Sequence, residues 1–365
     1  MNKVCVYAIA KDEEQNVEAW VKSMRPADHI IVLDTGSTDK TVELLSSLGI
    51  EVHQKNYDHF RFDTARNDCL DLIPDEYNIR VSIDLDERFE NENWANILRE
   101  KWDENNPRVI YKYVWNHTED GRNGLEFIIN KIHGIDPNLR WVGAVHEHLT
   151  YMDTGERGFT KFIDLTKELT VHHYSDPERD RKFYMDLAEE RISENTEDYL
   201  SWMLHGNEQR VKGDPQKGVE AYQYIIDHFQ TKMAPEEIAA VYYGLGQCYN
   251  LLEDGQKAMT AYCAGIAINK FYRDNYFGLA VILIASELYN MAIGVLEEAL
   301  KTTHRVYGWM EDPFVWTFSL YDLLAIAYHL KGDNSKALGY ASKALSYDPK
   351  NEVLIKRFND LIKLV

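Results

Sequence analysis

Residues 80–87 read RVSIDLDE, an apolar, β-rich run that leads straight into two aspartates spaced one apart, Asp84 and Asp86. In an extended chain residues i and i+2 point to the same side, so the two carboxylates are expected to face one ion or one ligand together. Carboxylates at the carboxyl end of a buried strand are suited to hold a divalent cation against a diphosphate. An acidic triplet alone is most often a solvated strand end. Its weight here comes from the flanking segments, which fall in the order a nucleotide-binding α/β domain requires.

Upstream, residues 4–10 (VCVYAIA) are β-rich and give way to the polar group Lys11-Asp12-Glu13-Glu14, after which Val17, Trp20, Val21 and Met24 recur at helical spacing. The unit repeats. Residues 30–34 are a second apolar run, broken at Thr35-Gly36-Ser37-Thr38-Asp39, and Val42, Leu44, Leu45 and Leu48 lead to a stop at Gly49. Residues 50–53 predict a short third strand, 64–73 a helix and 79–83 the strand that carries the acids. Parallel strands joined by crossover helices collect such polar loops beyond their carboxyl ends, where ligands bind. Downstream, 94–102 predicts a helix and 109–114 and 126–132 longer strands that extend the sheet. Residues 141–148 (WVGAVHEH) read as a loop rich in groups that handle protons, and 171–175 (VHHYS) close this half.

From about Tyr199 helical periodicity persists to the end and repeats irregularly. Small residues open the second helix of each unit at Gly218, Ala258, Ala292 and Ala337. In the last unit Tyr321, Leu324, Ala325, Tyr328, Ala337, Ala341, Ala344 and Pro349 fall where a packed helix pair needs large, small and terminating residues, and Tyr242, Leu245, Gly246, Tyr249, Ala258 and Tyr262 match them in the second. This pattern resembles the tetratricopeptide repeat, whose period is about 34 residues. The first unit, with Trp202, Gly206, Gly218 and Tyr222, fits less well. Such an array offers a concave surface suited to an extended peptide or to self-association.

Composition narrows the partners. With 365 residues and 45% hydrophobic content the chain has material for two domains with cores of their own. Its net charge of -20 disfavours nucleic acid and anionic membranes, whereas a nucleotide-sized anion stays compatible if a divalent ion inverts the local potential. The first residues read as a strand rather than a signal peptide, and no apolar stretch approaches the roughly 18 residues of a membrane span. Cys5, Cys69, Cys248 and Cys263 lie inside apolar patterns without paired spacing, which predicts reduced core thiols in a soluble cytoplasmic protein.

Taken together, AKDEEQNVEAWVKSM, HIIVLDTGSTDKTVELL, FDTARNDCLDLI and RVSIDLDERF resemble the family 2 glycosyltransferases of the GT-A fold, and among them a subgroup with tetratricopeptide-like helices that includes peptide S-glycosyltransferases. The resemblance implies a Rossmann-like mixed-sheet α/β domain over residues 1–180, a linker helix over 181–198 and an all-α tetratricopeptide-like repeat domain over 199–365. It implies that the loop after the first strand, with Ala8, Ala10, Asp12 and Glu13, borders the nucleotide base, and that Asp34 binds base or ribose. The family pattern commonly has asparagine where this chain has Asp12. Arg66 is expected near the base or diphosphate, Asp84 near the ribose, and Asp86 on Mn²⁺ or Mg²⁺, with a UDP-linked nucleotide-sugar as the expected donor. A third ligand is expected from VHHYS. His173 is preferred over His172 because the related histidine precedes an aromatic residue, and two adjacent strand residues face opposite ways. For the base that deprotonates the acceptor, Glu147 is the candidate with His146 beside it. Sequence leaves the two open, and Asp136 and Asp120 are weaker alternatives. A structural role for Glu147, such as pairing Arg140, competes with the catalytic one.

Two other functions compete. A nucleotidyltransferase usually carries a glycine-rich basic loop near the first strand, and AKDEEQN has three acids and no glycine. A tetratricopeptide adaptor with an inactive first domain would not need Arg66, Asp84, Asp86 and His173 to persist together. A peptide or protein acceptor and a homodimer are the partners the repeats suggest.

Overall fold

The computed structural model describes residues 2–117, 121–155, 161–174, 182–305 and 312–365. The chain divides into two units, Met1–Arg191 and Ile192–Val365.

The first unit runs β1 (Val4–Ala10), α1 (Val17–Met24), β2 (His29–Asp34), α2 (Thr41–Ser47), β3 (Glu51–Gln54), α3 (Phe62–Leu70), β4 (Ile79–Ser82), β5 (Glu87–Phe89), α4 (Trp94–Lys101), β6 (Arg108–Val114), β7 (Glu126–His133), β8 (Leu139–Val142), β9 (His148–Tyr151), β10 (Ile163–Asp164), β11 (Thr170–His173) and α5 (Lys182–Glu194). Its sheet has the order β3-β2-β1-β4-β7-β6-β11-β5, with β10 beside β6, and β8 and β9 form a separate hairpin. Strands β3, β2, β1 and β4 are parallel, and β7 joins β4 to β6 antiparallel to both. The period of two along β1 explains why these runs are continuously apolar. Val4, Val6 and Ala8 pack with Trp20 and Met24 of α1 and Trp94 of α4. Cys5 and Tyr7, facing the other way, pack with Cys69 and Leu70 of α3 and Trp141 of β8.

Three local readings change. The strand expected at 79–83 ends at Ser82, and the backbone then closes a turn in which Glu87 N–H donates to Asp84 O at 2.9 Å. The segment expected as a loop at 141–148 is anchored by β8 and β9, with only its middle outside the ladder. Cys5, Cys69 and Cys248 are buried thiols as expected, but Cys263 is exposed, because it lies on the outward side of a repeat helix. The expected linker begins with α5, whose Leu187 and Ala188 pack on Ala144 and Val145 of the first unit.

One buried polar chain ties the β8–β9 hairpin to the sheet. Trp141 Nε1–H donates to Tyr7 Oη at 2.9 Å, and Tyr7 Oη lies 2.8 Å from His133 Nε2. His133 Nδ1 is 2.8 Å from the Gly134 carbonyl, which can only accept, so Nδ1 carries the proton and Nε2 accepts from tyrosine. Burial, reinforced by Arg108, pushes His133 down to about 3.

The second unit consists of α6 (Tyr199–Lys212), α7 (Pro215–Phe229), α8 (Pro235–Leu251), α9 (Gly255–Ile268), α10 (Arg273–Ala285), α11 (Tyr289–Lys301), α12 (Ser319–Leu330), α13 (Asn334–Tyr347) and α14 (Glu352–Ile362). Successive helices from α6 to α13 pair into the hairpins that the repeat predicts, and Gly218, Ala258, Ala292 and Ala337 are all buried at their crossings. Tyrosines fill what small residues vacate. A Cβ on Gly246 would sit 2.4 Å from the Tyr262 ring, and one on Gly278 would sit 2.5 Å from it. The second helices share a start signal as well: Asp214, Asp254 and Asp333 cap α7, α9 and α13 by accepting from Gln216, Lys257 and Lys336 N–H. Leu288 holds that place in α11 without a side-chain cap and is 44% exposed.

Leu288→Asp supplies an acceptor at the position where Asp254 and Asp333 bond the third amide beyond them, and should stabilise the repeat unit by about 1 kcal/mol in thermal or urea unfolding. For His133 the folded group titrates far below its unfolded value of about 6.5, so its contribution is complete above pH 6.5 and is lost as pH falls toward 3. Urea unfolding of the first unit should therefore lose about 2 kcal/mol more between pH 7 and pH 5 in the wild type than in His133→Gln. Equal slopes would show that the imidazole is not buried neutral.

Candidate active site

The polar loops beyond β1, β2 and β4 interlock. Asp12, held at φ 54°, accepts from Thr38 N–H at 2.7 Å, and its own N–H donates to Ser37 Oγ at 2.9 Å. Glu13 N–H donates to Thr41 Oγ1 at 2.8 Å, and the Glu13 carboxylate accepts from Asn16 Nδ2 at 2.8 Å. Asp34 is fully buried and accepts from the amides of Gly36 and Ser37, each at 3.1 Å. The Asp34 carboxylate thus shapes the Thr35–Ser37 bend. Ala8 lies in the core beneath these loops, and Ala10 meets them through its carbonyl, which accepts from Thr35 N–H at 2.8 Å.

At the next loop the two aspartates diverge. An extended chain would place Asp84 and Asp86 on one side; the turn from Asp84 to Glu87 instead directs Asp84 toward Arg66 and Asp86 toward His173. Arg66, on α3 and only 5% exposed at its side chain, is the centre of the first cluster. Its Nη2 donates to Asp84 Oδ2 at 2.8 Å, its Nη1 lies 2.8 Å from Oδ1 and donates to Ser82 Oγ at 3.2 Å, and its Nε pairs with Glu147. The guanidinium lies 5.0 Å over the Trp141 ring. Lys131 Nζ on β7 bridges Asp84 Oδ2 at 3.0 Å and Glu87 Oε1 at 2.7 Å. Burial works against the Asp84 charge, but Arg66 and Lys131 outweigh it and hold the carboxyl well below the usual carboxylate range. Burial also opposes the charges of Arg66 and Lys131, which the adjoining carboxylates raise above their ordinary values.

The second cluster pairs Asp86 Oδ2 with His173 Nε2 at 3.2 Å. His173 Nδ1 is 2.9 Å from the Trp115 carbonyl, so Nδ1 is the donor and Nε2 is the atom turned to Asp86. His172 faces the other way, with its Nδ1 2.9 Å from His117 Nε2. Among the described residues no group of three or more His, Cys, Asp or Glu converges as a complete metal shell. Asp86 and an Nε2 oriented by a backbone carbonyl nevertheless have the chemistry of two ligands in an incomplete shell, which fits a hard divalent ion that takes its remaining oxygens from a ligand.

Glu147 stands in the β8–β9 connection, which is held from two sides. Gly143 N–H donates to Asp63 Oδ2 at 2.9 Å and Phe62 N–H to Ala144 O at 3.0 Å, while Arg191 Nη1 donates to Val145 O at 2.6 Å and His146 O at 2.8 Å. His146 is held at φ 51° beside it. The partner of Glu147 is Arg66 rather than Arg140, which lies 3.3 Å from Asp71. Asp136 accepts from Asn138 N–H at 2.8 Å in its own turn, and Asp120 lies outside the described residues. The structure therefore joins Arg66, Asp84 and Glu147, pairs Asp86 with His173, and places Ala8, Ala10, Glu13 and Asp34 in the adjoining β1 and β2 loops. Sequence reasoning misses Glu87, Lys131 and Tyr113. For Lys131 the signal is a charged residue inside an apolar strand run, EFIINKIH, whereas Glu87 and Tyr113 carry no such signal.

Removing the guanidinium leaves two carboxylates without their main counter-charge. Arg66→Met should cost about 3–5 kcal/mol in urea unfolding of the first unit, and Glu147→Gln considerably less.

Residues 5–176 match the family described as Glycosyl transferase family 2. No curated protein matches the chain. Among solved structures, a thermophilic TPR protein of Thermus thermophilus is 18% identical with a TM-score of 0.38, covering 49% of this chain and 89% of that one. The MamA protein is 21% identical with a TM-score of 0.37, covering 46% and 81%. Similarity at this level has no bearing on what the chain does, and the helix pairs above stand on their own geometry. With a parallel β3-β2-β1-β4 core and carboxylates gathered past its strand ends, the first unit carries a glycosyl transferase family 2 domain over residues 5–176.

Proposed function

We propose that this domain is a metal-dependent inverting glycosyltransferase that moves a sugar from a UDP-linked donor to a peptide or protein acceptor. The observation that carries the reading is the pair Asp86 and His173, in which His173 Nε2 is turned to the Asp86 carboxylate and its Nδ1 is held on the Trp115 carbonyl, with Asp86 on the loop that also carries Asp84 and Glu87. An oxygen and a nitrogen donor so placed suit a divalent ion, whose charge would offset the neighbouring carboxylates.

Asp86 and His173 Nε2 would hold Mn²⁺ or Mg²⁺. When bound, such an ion acts as a Lewis acid on the leaving diphosphate. The other groups act directly. The loops shaped by Glu13 and Asp34, above Ala8 and Ala10, border the nucleotide base, Asp84 stands toward the ribose, and Arg66 orients Asp84 and Glu147 together. Glu147 takes the proton from the acceptor as the acceptor atom bonds to the anomeric carbon and the bond from that carbon to the diphosphate oxygen breaks. His146 is the second candidate for that proton. A single displacement inverts the anomeric centre and needs one base. The helix pairs of the second unit provide a surface for a peptide or protein acceptor. No helix among the described residues is long and apolar enough to cross a membrane.

Calorimetry with UDP and UDP-sugars tests the reading. Wild type should bind in the presence of Mn²⁺ and lose that binding without metal or as Asp86→Ala. Glu147→Gln should still bind while turnover on a peptide acceptor falls roughly 10²–10⁴-fold. A folded wild type that binds no nucleotide, with or without metal, would reject the proposal.

A further inference from the structure

We infer that Glu87 and Lys131 are a positioning pair that latches the Asp84–Glu87 turn, so that Asp84 and Asp86 are aimed at their separate partners before any ligand arrives. The inference rests on the transferase reading for its consequence in catalysis, but not for the latch itself.

Glu87 is the inner closure of the turn. Its carboxylate is 1% exposed. Oε2 accepts the Asp84 N–H at 2.9 Å, while the Glu87 N–H donates to Asp84 O at 2.9 Å, so side chain and backbone clasp Asp84 from both ends. Oε1 accepts from Lys131 Nζ at 2.7 Å and from Tyr113 Oη–H at 2.6 Å, so both carboxylate oxygens are engaged. The backbone of Glu87 pairs with His173 across β5 and β11, and Tyr174 N–H donates to Asp86 O at 2.8 Å. The residue that holds Asp84 in place is thereby in register with the histidine that faces Asp86. Lys131 completes the link from β7, since the same ammonium that fixes Glu87 also reaches Asp84 Oδ2 at 3.0 Å.

A pair that served stability alone would be a poor choice. Well-packed apolar residues of similar volume often do as well as a buried ion pair or better, and the role left to these charges is the geometry their hydrogen bonds impose on the turn. Here that geometry fixes the one loop on which the two aspartates are carried. Outer groups of this kind typically govern metal affinity by roughly 10–100-fold without touching the metal.

The test uses the full chain and three variants: Lys131→Met, Lys131→Arg and the double variant Lys131→Met with Glu87→Gln. Each is followed by thermal unfolding, by titration of UDP in the presence of Mn²⁺, and by hydrogen exchange of the amides from Asp84 to Glu87. Lys131→Met strands a buried carboxylate and should melt lower. The double variant removes both charges and should recover much of the melting temperature, yet bind UDP with Mn²⁺ roughly tenfold more weakly than wild type and exchange the turn amides roughly tenfold faster. Lys131→Arg should keep binding close to wild type. A double variant that regains stability and binding together, with unchanged exchange, overturns the inference, because charge balance alone would then suffice. If wild type binds no UDP, the transferase reading fails and hydrogen exchange in the folded double variant still decides the latch: faster turn exchange sustains it and unchanged exchange removes it.

Discussion

The first unit depends on one buried guanidinium. Arg66 leaves α3 one helical turn after Phe62 and meets Asp84 from the β4 turn, Ser82 at the end of β4, Glu147 from the β8–β9 connection and the face of Trp141 from β8. Arginine suits this place because its planar fork serves several acceptors at once and keeps its charge when desolvated. The carboxylates it joins would each be costly to bury alone. Packing brings the elements near one another, and the guanidinium decides their register at the loop ends. The Trp141–Tyr7–His133 chain beneath it keeps the stacked ring from drifting.

What could be read from sequence divides along the range of the forces involved. Strands β1, β2 and β4 were legible because both faces of each are buried, so the runs Val4–Ala10 and His29–Asp34 are apolar almost without interruption and end where polar loops begin. The helix pairs were legible because small residues must recur wherever two helices cross, as at Ala258 and Ala337. The direction of Asp84 was not. Its local sequence is compatible with a continued strand, and the turn that replaces it is held by Lys131, 47 residues away. Glu147 meets Arg66 across 81 residues, so sequence could propose the carboxylate but not its partner. Cys263 differs for another reason: its neighbours are apolar on both sides, and which side of α9 faces outward is set by the helices packed against it.

The repeat unit shows the same contrast with simpler chemistry. Its regularity comes from aromatic rings seated on glycines, Tyr222 on Gly206 and Gly244, and Tyr262 on Gly246 and Gly278. Aspartates at the start of second helices satisfy amides that would otherwise be bare. The buried polar residues at the start of α10, Asp274 and Asn275 among them, bond to neighbouring backbone, Asn275 to Ala239 O and Asp274 to the Asp312 N–H, and each helix hairpin buries its own face against the next. The irregular α11 start at Leu288 is tolerated for that reason: a missing cap costs one local bond and leaves the stacking intact.

The two units thus place their costs differently. In the repeats small residues, rings and caps serve the packing of helix on helix. In the first unit the carboxylates of Asp84, Asp86, Glu87 and Glu147 are gathered around Arg66, Lys131 and Arg88, and the buried Glu87 is pushed toward protonation by burial and by Asp84 and Asp86, with Lys131 opposing. An arrangement built only to be stable would have replaced some of these acids with apolar side chains. Gathered at these loop ends, with Asp84 and Asp86 aimed in separate directions, they suit the preorganised site for a cation and a diphosphate that we propose. On that proposal the electrostatic cost is carried by the folded protein in advance, and the reacting groups need no reorientation when the ligand arrives.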